Sequence, residues 1–155
     1  MRQGKGIFTI VPTPTPILVN WKEYNDTNNQ YAIKYPQTIT PSIDPSGQDT
    51  VTTFLYTQDN NEYSIQILPP GSGISGIQGY AVPNATTDQK TVYYGGRKFK
   101  RITWYDSTKK PFLISVVPDE EGFVFSSFQI HLPVNNAQQY ITIFDQMLST
   151  LKIPQ

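Results

Sequence analysis

The sequence predicts an α+β domain: an antiparallel sheet of about six to seven strands built from hairpins, with a C-terminal amphipathic helix packed on one face. Three observations predict it. Short runs of alternating apolar and polar residues recur through the middle of the chain, separated by Gly-, Pro- and Asn-containing turns. The last segment changes from a period of two to a helical period. Aromatic residues, ten Tyr and eight Phe among them, suit strands more than helices.

The first twenty residues, MRQGKGIFTIVPTPTPILVN, carry Arg2 and Lys5, no acids, and a Thr-Pro alternation from Pro12 to Pro16. Alternating proline favours extended polyproline geometry, so residues 1–20 read as a Thr/Pro spacer or a strand-like arm, and residues 21–155 as the domain. In YAIKYP, Tyr31, Ile33 and Tyr35 share one face and Ala32 and Lys34 the other. Pro36 cannot donate to a ladder, so this first core strand ends there. A loop, TPSIDPSGQD, follows. TVTTFLYT and EYSIQIL then read as a hairpin turning through QDNN, with Tyr63, Ile65 and Ile67 on one side of the second strand.

Residues 71–79 hold four glycines, which disfavour a stable helix in the long connection that follows. KTVYYGGRKFKRITWYD is a second hairpin, with Gly95 and Gly96 free to take the positive φ of a tight turn. PFLISVVPDEEGFVFSSFQIHL is a third, turning through Asp119 to Gly122. On its return strand Val124, Ser126, Phe128, Ile130 and Leu132 share a mostly apolar face, which suits a central strand. In NNAQQYITIFDQMLSTLKI, Tyr140, Ile141, Phe144, Met147, Leu148 and Leu151 form one stripe of a helix. Burying that stripe is worth on the order of 10 kcal/mol gross, so the helix packs on the sheet. Asn135 or Asn136 suits its start and Lys152 its end.

Composition narrows the chemistry. At 155 residues the chain suits one domain that buries roughly two-thirds of its unfolded surface. Twelve basic residues balance twelve acidic ones, which argues against a nucleic-acid partner held through phosphates. There is no cysteine, so disulfides, thiolate metal sites and thiol nucleophiles are excluded. No apolar run reaches the roughly 20 residues that span a bilayer.

The candidate sites are few. GGRKFKRITW sets Arg97, Lys98, Lys100 and Arg101 around Phe99 and close to Trp104. Alternation places Lys98 and Lys100 on one face and Arg97 and Arg101 on the other. Such a strand binds phosphates, glycans or anionic lipid heads, or else protects a sheet edge from unwanted pairing. His131, the single histidine, falls beside Gln129 on the side away from Phe128 and Ile130. It lacks a nucleophile motif nearby and reads as a surface or capped residue. Asp119, Glu120 and Glu121 read as a solvated turn rather than a paired-carboxylate or cation site. Asp44 and Asp49 lack the spacing of a calcium loop. Asn25 and Asn84 fit the glycosylation triplet, which is frequent by chance. No catalytic constellation, metal or cofactor is expected.

The opening WKEYNDTNNQYAIKYP, the run of hairpins and the closing FDQMLSTLKI together resemble the PsbP-like family, named for the extrinsic oxygen-evolving subunit of photosystem II. They are closer still to small bacterial PsbP-related domains, often lipoproteins or membrane-tethered modules. The likeness covers roughly residues 21–153. It implies an α/β/α sandwich, reduced to two layers if the family's mid-domain helix, which would fall near Ile74 to Tyr80, does not form. Thr38-Ile39 stands where many relatives have a tryptophan. The resemblance also implies a non-enzymatic, extracytoplasmic binding or assembly module, tethered by its spacer and docking a protein at the cell envelope. The alternative is a soluble adaptor, since the fold is shared by a cytoplasmic binder of a small GTPase. In it, Trp21, Tyr24, Tyr93, Tyr94 or Trp104 would form an exposed aromatic contact patch.

Overall fold

Nine strands and one helix, the expected opening strand and three hairpins among them, make up a computed structural model that describes residues 20–26, 31–43, 51–68, 82–121 and 127–153. The strands are β1 (Lys22–Asp26), β2 (Tyr31–Tyr35), β3 (Thr40–Ile43), β4 (Thr52–Gln58), β5 (Asn61–Leu68), β6 (Thr86–Tyr94), β7 (Arg97–Tyr105), β8 (Pro111–Pro118) and β9 (Ser127–His131). The helix, α1, is Ala137–Ser149. Seven strands form one antiparallel sheet in the order β3-β4-β5-β9-β8-β7-β6, and β1 and β2 form a separate ribbon. Two meanders, β3 to β5 and β6 to β9, meet where β5 pairs β9, with Ile65 opposite Ile130. The mostly apolar return strand β9 is thus the middle strand, as its composition predicts.

The turns take the chemistry their residues allow. Asp59 and Asn60 both have positive φ between β4 and β5, and Gly95 and Gly96, at 58° and 76°, close β6 onto β7. Gly95 is also tight: a Cβ there would stand 3.1 Å from the Leu151 carbonyl oxygen. Between β7 and β8, Asp106 Oδ1 accepts from the backbone N–H of Thr108 at 2.8 Å and of Lys110 at 3.0 Å.

One face of the sheet carries Phe54, Ile65, Ile130, Ile114 and Val116, and these pack with Phe99 and Phe128 against Tyr140, Phe144, Met147 and Leu148 of α1. The stripe read from the helical period is therefore the buried one, with Leu151 buried just past the helix end. Tyr140 stacks on Tyr56 with ring centroids 4.2 Å apart, which pins the start of the helix to β4. The ribbon completes this layer: Tyr31, Ile33 and Tyr35 are buried in the same core. The chain leaving α1 pairs with it, Ala32 N–H donating to the Lys152 carbonyl at 3.0 Å and Lys152 N–H to the Ala32 carbonyl at 2.9 Å. On the second face Leu113, Ser115, Ser127 and Gln129 are buried as well, so the central strands are covered on both sides.

Several expectations are corrected. The strand ending at Tyr35 supplies core side chains, but it belongs to the ribbon with β1 rather than to the main sheet. β3 forms where a loop was expected, and β6 begins at Thr86, inside the expected connection. Asn136 occupies the N-cap in a left-handed conformation with no side-chain capping bond. Lys152 pairs with Glu23 at 3.2 Å instead of the helix carbonyls. The spacer, the mid-domain segment near Ile74 to Tyr80, Asp44, Asp49, Val124 and Ser126 lie outside the described residues.

Candidate functional site

The predicted cations all stand on β7, and the pleat divides them. Arg97, Phe99 and Arg101 point to the α1 side, while Lys98, Lys100 and Trp104 point to the second face. Each arginine is occupied. Arg97 Nε donates to Glu120 Oε1, and its guanidinium also donates to the Glu121 carbonyl at 3.2 Å. That hydrogen bond holds the Glu120 carboxyl below its ordinary value. Arg101 is buried and donates to Asp145 on α1. Burial pulls its guanidinium down, but the bond and charge of Asp145 outweigh that and hold it above the usual value.

The acidic turn is correspondingly less solvated than expected. Lys98 Nζ lies 3.7 Å from Asp119 Oδ2, so two of its three carboxylates are paired with the basic strand. Lys100 makes no ion pair among the described residues, and the buried indole N–H of Trp104 has no hydrogen-bond partner there.

The aromatic residues do not gather into one exposed patch. Trp21, Tyr24 and Tyr94 are half-buried against the core. Tyr24 meets the Phe54 ring edge-on at 5.8 Å. Only Tyr93 is strongly exposed, at 66%, and it shares the second face with Trp104, which is half-buried.

The second face also holds a concave feature not anticipated from sequence. A cleft of about 480 Å³ is lined by Thr53, Leu55, Glu62, Ser64, Gln66 and His131, with Tyr63, Phe112 and Leu132 at its walls. Its floor follows from strand pairing. Thr53 lies opposite Gln66 and Leu55 opposite Ser64 on β4 and β5. Continuing the β5–β9 register one step beyond Ile65 and Ile130 sets Ser64 beside His131. The Tyr56 hydroxyl donates to the His131 carbonyl and fixes the strand end. His131 thus points where its parity predicts, but it is half-buried, and burial lowers its imidazole below 6.5. The cleft presents an imidazole that is neutral at neutral pH, together with the acidic Glu62, hydroxyls, one amide and apolar walls. That suits a polar-apolar segment of another molecule more than a phosphate. Among the described residues no three His, Asp or Glu side chains gather to hold a metal ion.

With this geometry in place, comparison with solved structures shows a PsbP-like fold. The solution structure of cyanobacterial PsbP (CyanoP) from Synechocystis sp. PCC 6803 matches with a TM-score of 0.59, covering 87% of this chain and 93% of that one at 10% identity. No protein-family profile and no curated protein matches the sequence. At this identity the likeness establishes fold, and the resemblance seen in the opening, the hairpins and the closing helix holds at that level. Among the described residues no helix is long and apolar enough to cross a membrane.

Proposed function

We propose, taking the PsbP-like fold as premise, that this chain is a non-enzymatic binding or assembly module that works outside the cytoplasm near a membrane and docks a protein partner there. The observation that carries the binding reading is the cleft on the second face, built on paired strands rather than on loops. Strands hold a contact surface with little ordering cost on binding. Lys98, Lys100 and Trp104 lie on the same face but two strands away on β7, where Trp104 shares the cross-strand row of Leu113 and His131 and the lysines stand toward the other end of the sheet. The Thr/Pro spacer of residues 1–20 supplies the tether, and residues 21–155 the docking domain.

The test is affinity capture from the membrane and soluble fractions of the native cells, comparing wild type with Leu55→Arg, which places a charge on the half-exposed cleft floor. A partner recovered from the membrane fraction by wild type, and lost or at least about tenfold depleted with a folded Leu55→Arg variant, supports the reading. Equal recovery by both variants counts against the cleft, and recovery from the soluble fraction alone counts against the location.

One observation favours a second reading. Ser64, His131 and Glu62 line the same cleft, and a serine beside a neutral imidazole is the arrangement of acyl-transfer enzymes. Labelling of Ser64 by a fluorophosphonate would move the assignment to a hydrolase; an unlabelled Ser64 in the folded protein removes that reading.

A further inference from the structure

We propose that a second copy of this chain pairs with the β6 edge, joining two seven-stranded sheets antiparallel across a two-fold axis at Gln89. The two edges of the sheet differ. β3 is four residues long and contains Pro41, both of which blunt an edge against pairing. β6 runs nine residues from Thr86 to Tyr94 with no proline or glycine, and Thr86 to Thr91 are exposed. It pairs β7 without a register shift, and among the described residues no strand lies on its outer side.

The turn settles which groups point outward. A two-residue turn closes on a hydrogen-bonded pair, here Tyr94 and Arg97. Alternate residues Val92, Lys90 and Asp88 therefore bond inward to β7. The N–H and C=O groups of Thr87, Gln89, Thr91 and Tyr93 point out and are available to another strand.

Charge then selects both partner and register. Asp88 and Lys90 are the two charged residues of β6, and neither makes an ion pair among the described residues. In an antiparallel match of β6 with itself, Gln89 against Gln89 sets Asp88 opposite the partner's Lys90 and Lys90 opposite the partner's Asp88. Thr87 then meets the partner's Thr91, a favoured cross-strand pair. Sliding two residues one way opposes Asp88 to the partner's Asp88, and two the other way opposes Lys90 to the partner's Lys90. Slips by one residue put side chains on mismatched faces. One register is thus attractive and its neighbours repulsive, an arrangement that a second copy of the same strand satisfies by symmetry.

Sedimentation equilibrium of the full chain over a wide concentration range tests this. Wild type is expected to show a reversible monomer–dimer equilibrium. Asp88→Lys and Lys90→Asp should each weaken it about tenfold or more. The double variant carrying both changes should restore it, because the swapped charges face each other again. Gln89→Pro removes an outward N–H without touching the β6–β7 ladder and should abolish dimerisation while circular dichroism stays unchanged. A wild type that stays monomeric throughout overturns the proposal, as does a dimer indifferent to the single charge changes or unrestored by the double one. A photo-cross-linker at residue 89 that joins two copies supports it; one that captures only a different protein or another part of its own chain overturns it. None of these readouts depends on a partner in the cleft, so this proposal and the docking function fail separately.

Discussion

His131 sits on the second face with its ring half-buried, and burial lowers its imidazole below 6.5. Between the depressed folded value and 6.5, the unfolded chain holds the proton that the folded chain refuses. Stability is therefore unaffected above that window and falls as pH drops through it. Urea melts from pH 8 down to about pH 5 should show this loss, and His131→Gln should flatten that part of the profile. An unchanged slope in the variant would mean that other groups carry it. The side of the strand on which His131 lies was legible from alternation alone. Its burial was not, because that depends on Ser64 and the walls of a cleft assembled from residues far apart in sequence.

At the scale of elements, α1 is tied to the sheet by an apolar stripe and, among the described residues, by the Arg101–Asp145 ion pair. The stripe was readable because Tyr140, Phe144, Met147 and Leu148 keep helical spacing. The pair was not, since nothing local links Asp145 to a strand forty-four residues earlier. Arg101 is 8% exposed while the Asp145 side chain is 45% exposed, so the two halves of the pair are not equivalent. Asp145→Asn strands a buried guanidinium and should cost about 1–2 kcal/mol, discounted from a fully buried pair for the solvent around Asp145. Arg101→Met replaces the buried charge by apolar volume and should cost less than that. Denaturant midpoints of the two variants give the comparison, and an equal loss in both would contradict this asymmetry. The hairpins β4–β5 and β6–β7 were equally legible, because Asp59-Asn60 and Gly95-Gly96 announce turns that need positive φ. β1 and β3 were missed for physical reasons. In β1 only Tyr24 and Asp26 turn inward, and β3 is four residues interrupted by Pro41, so neither shows a period. Each is held by its neighbour rather than by its own pattern.

At the scale of the molecule, two local meanders are joined by a single long-range pairing, β5 with β9. That join creates the cleft, buries the middle strands on both faces and leaves two unequal edges. With one face committed to α1 and the middle strands buried on the other, the cleft on the second face and the β6 edge are the surfaces left for other molecules among the described residues. The proposed docking surface for a partner is the cleft on the second face. The most direct test is photo-cross-linking in the native cells from Leu55, at the cleft, and from Gln138, exposed on α1. Leu55 is expected to capture a discrete partner and Gln138 is not. Capture from Gln138 alone, or from both positions alike, would contradict it.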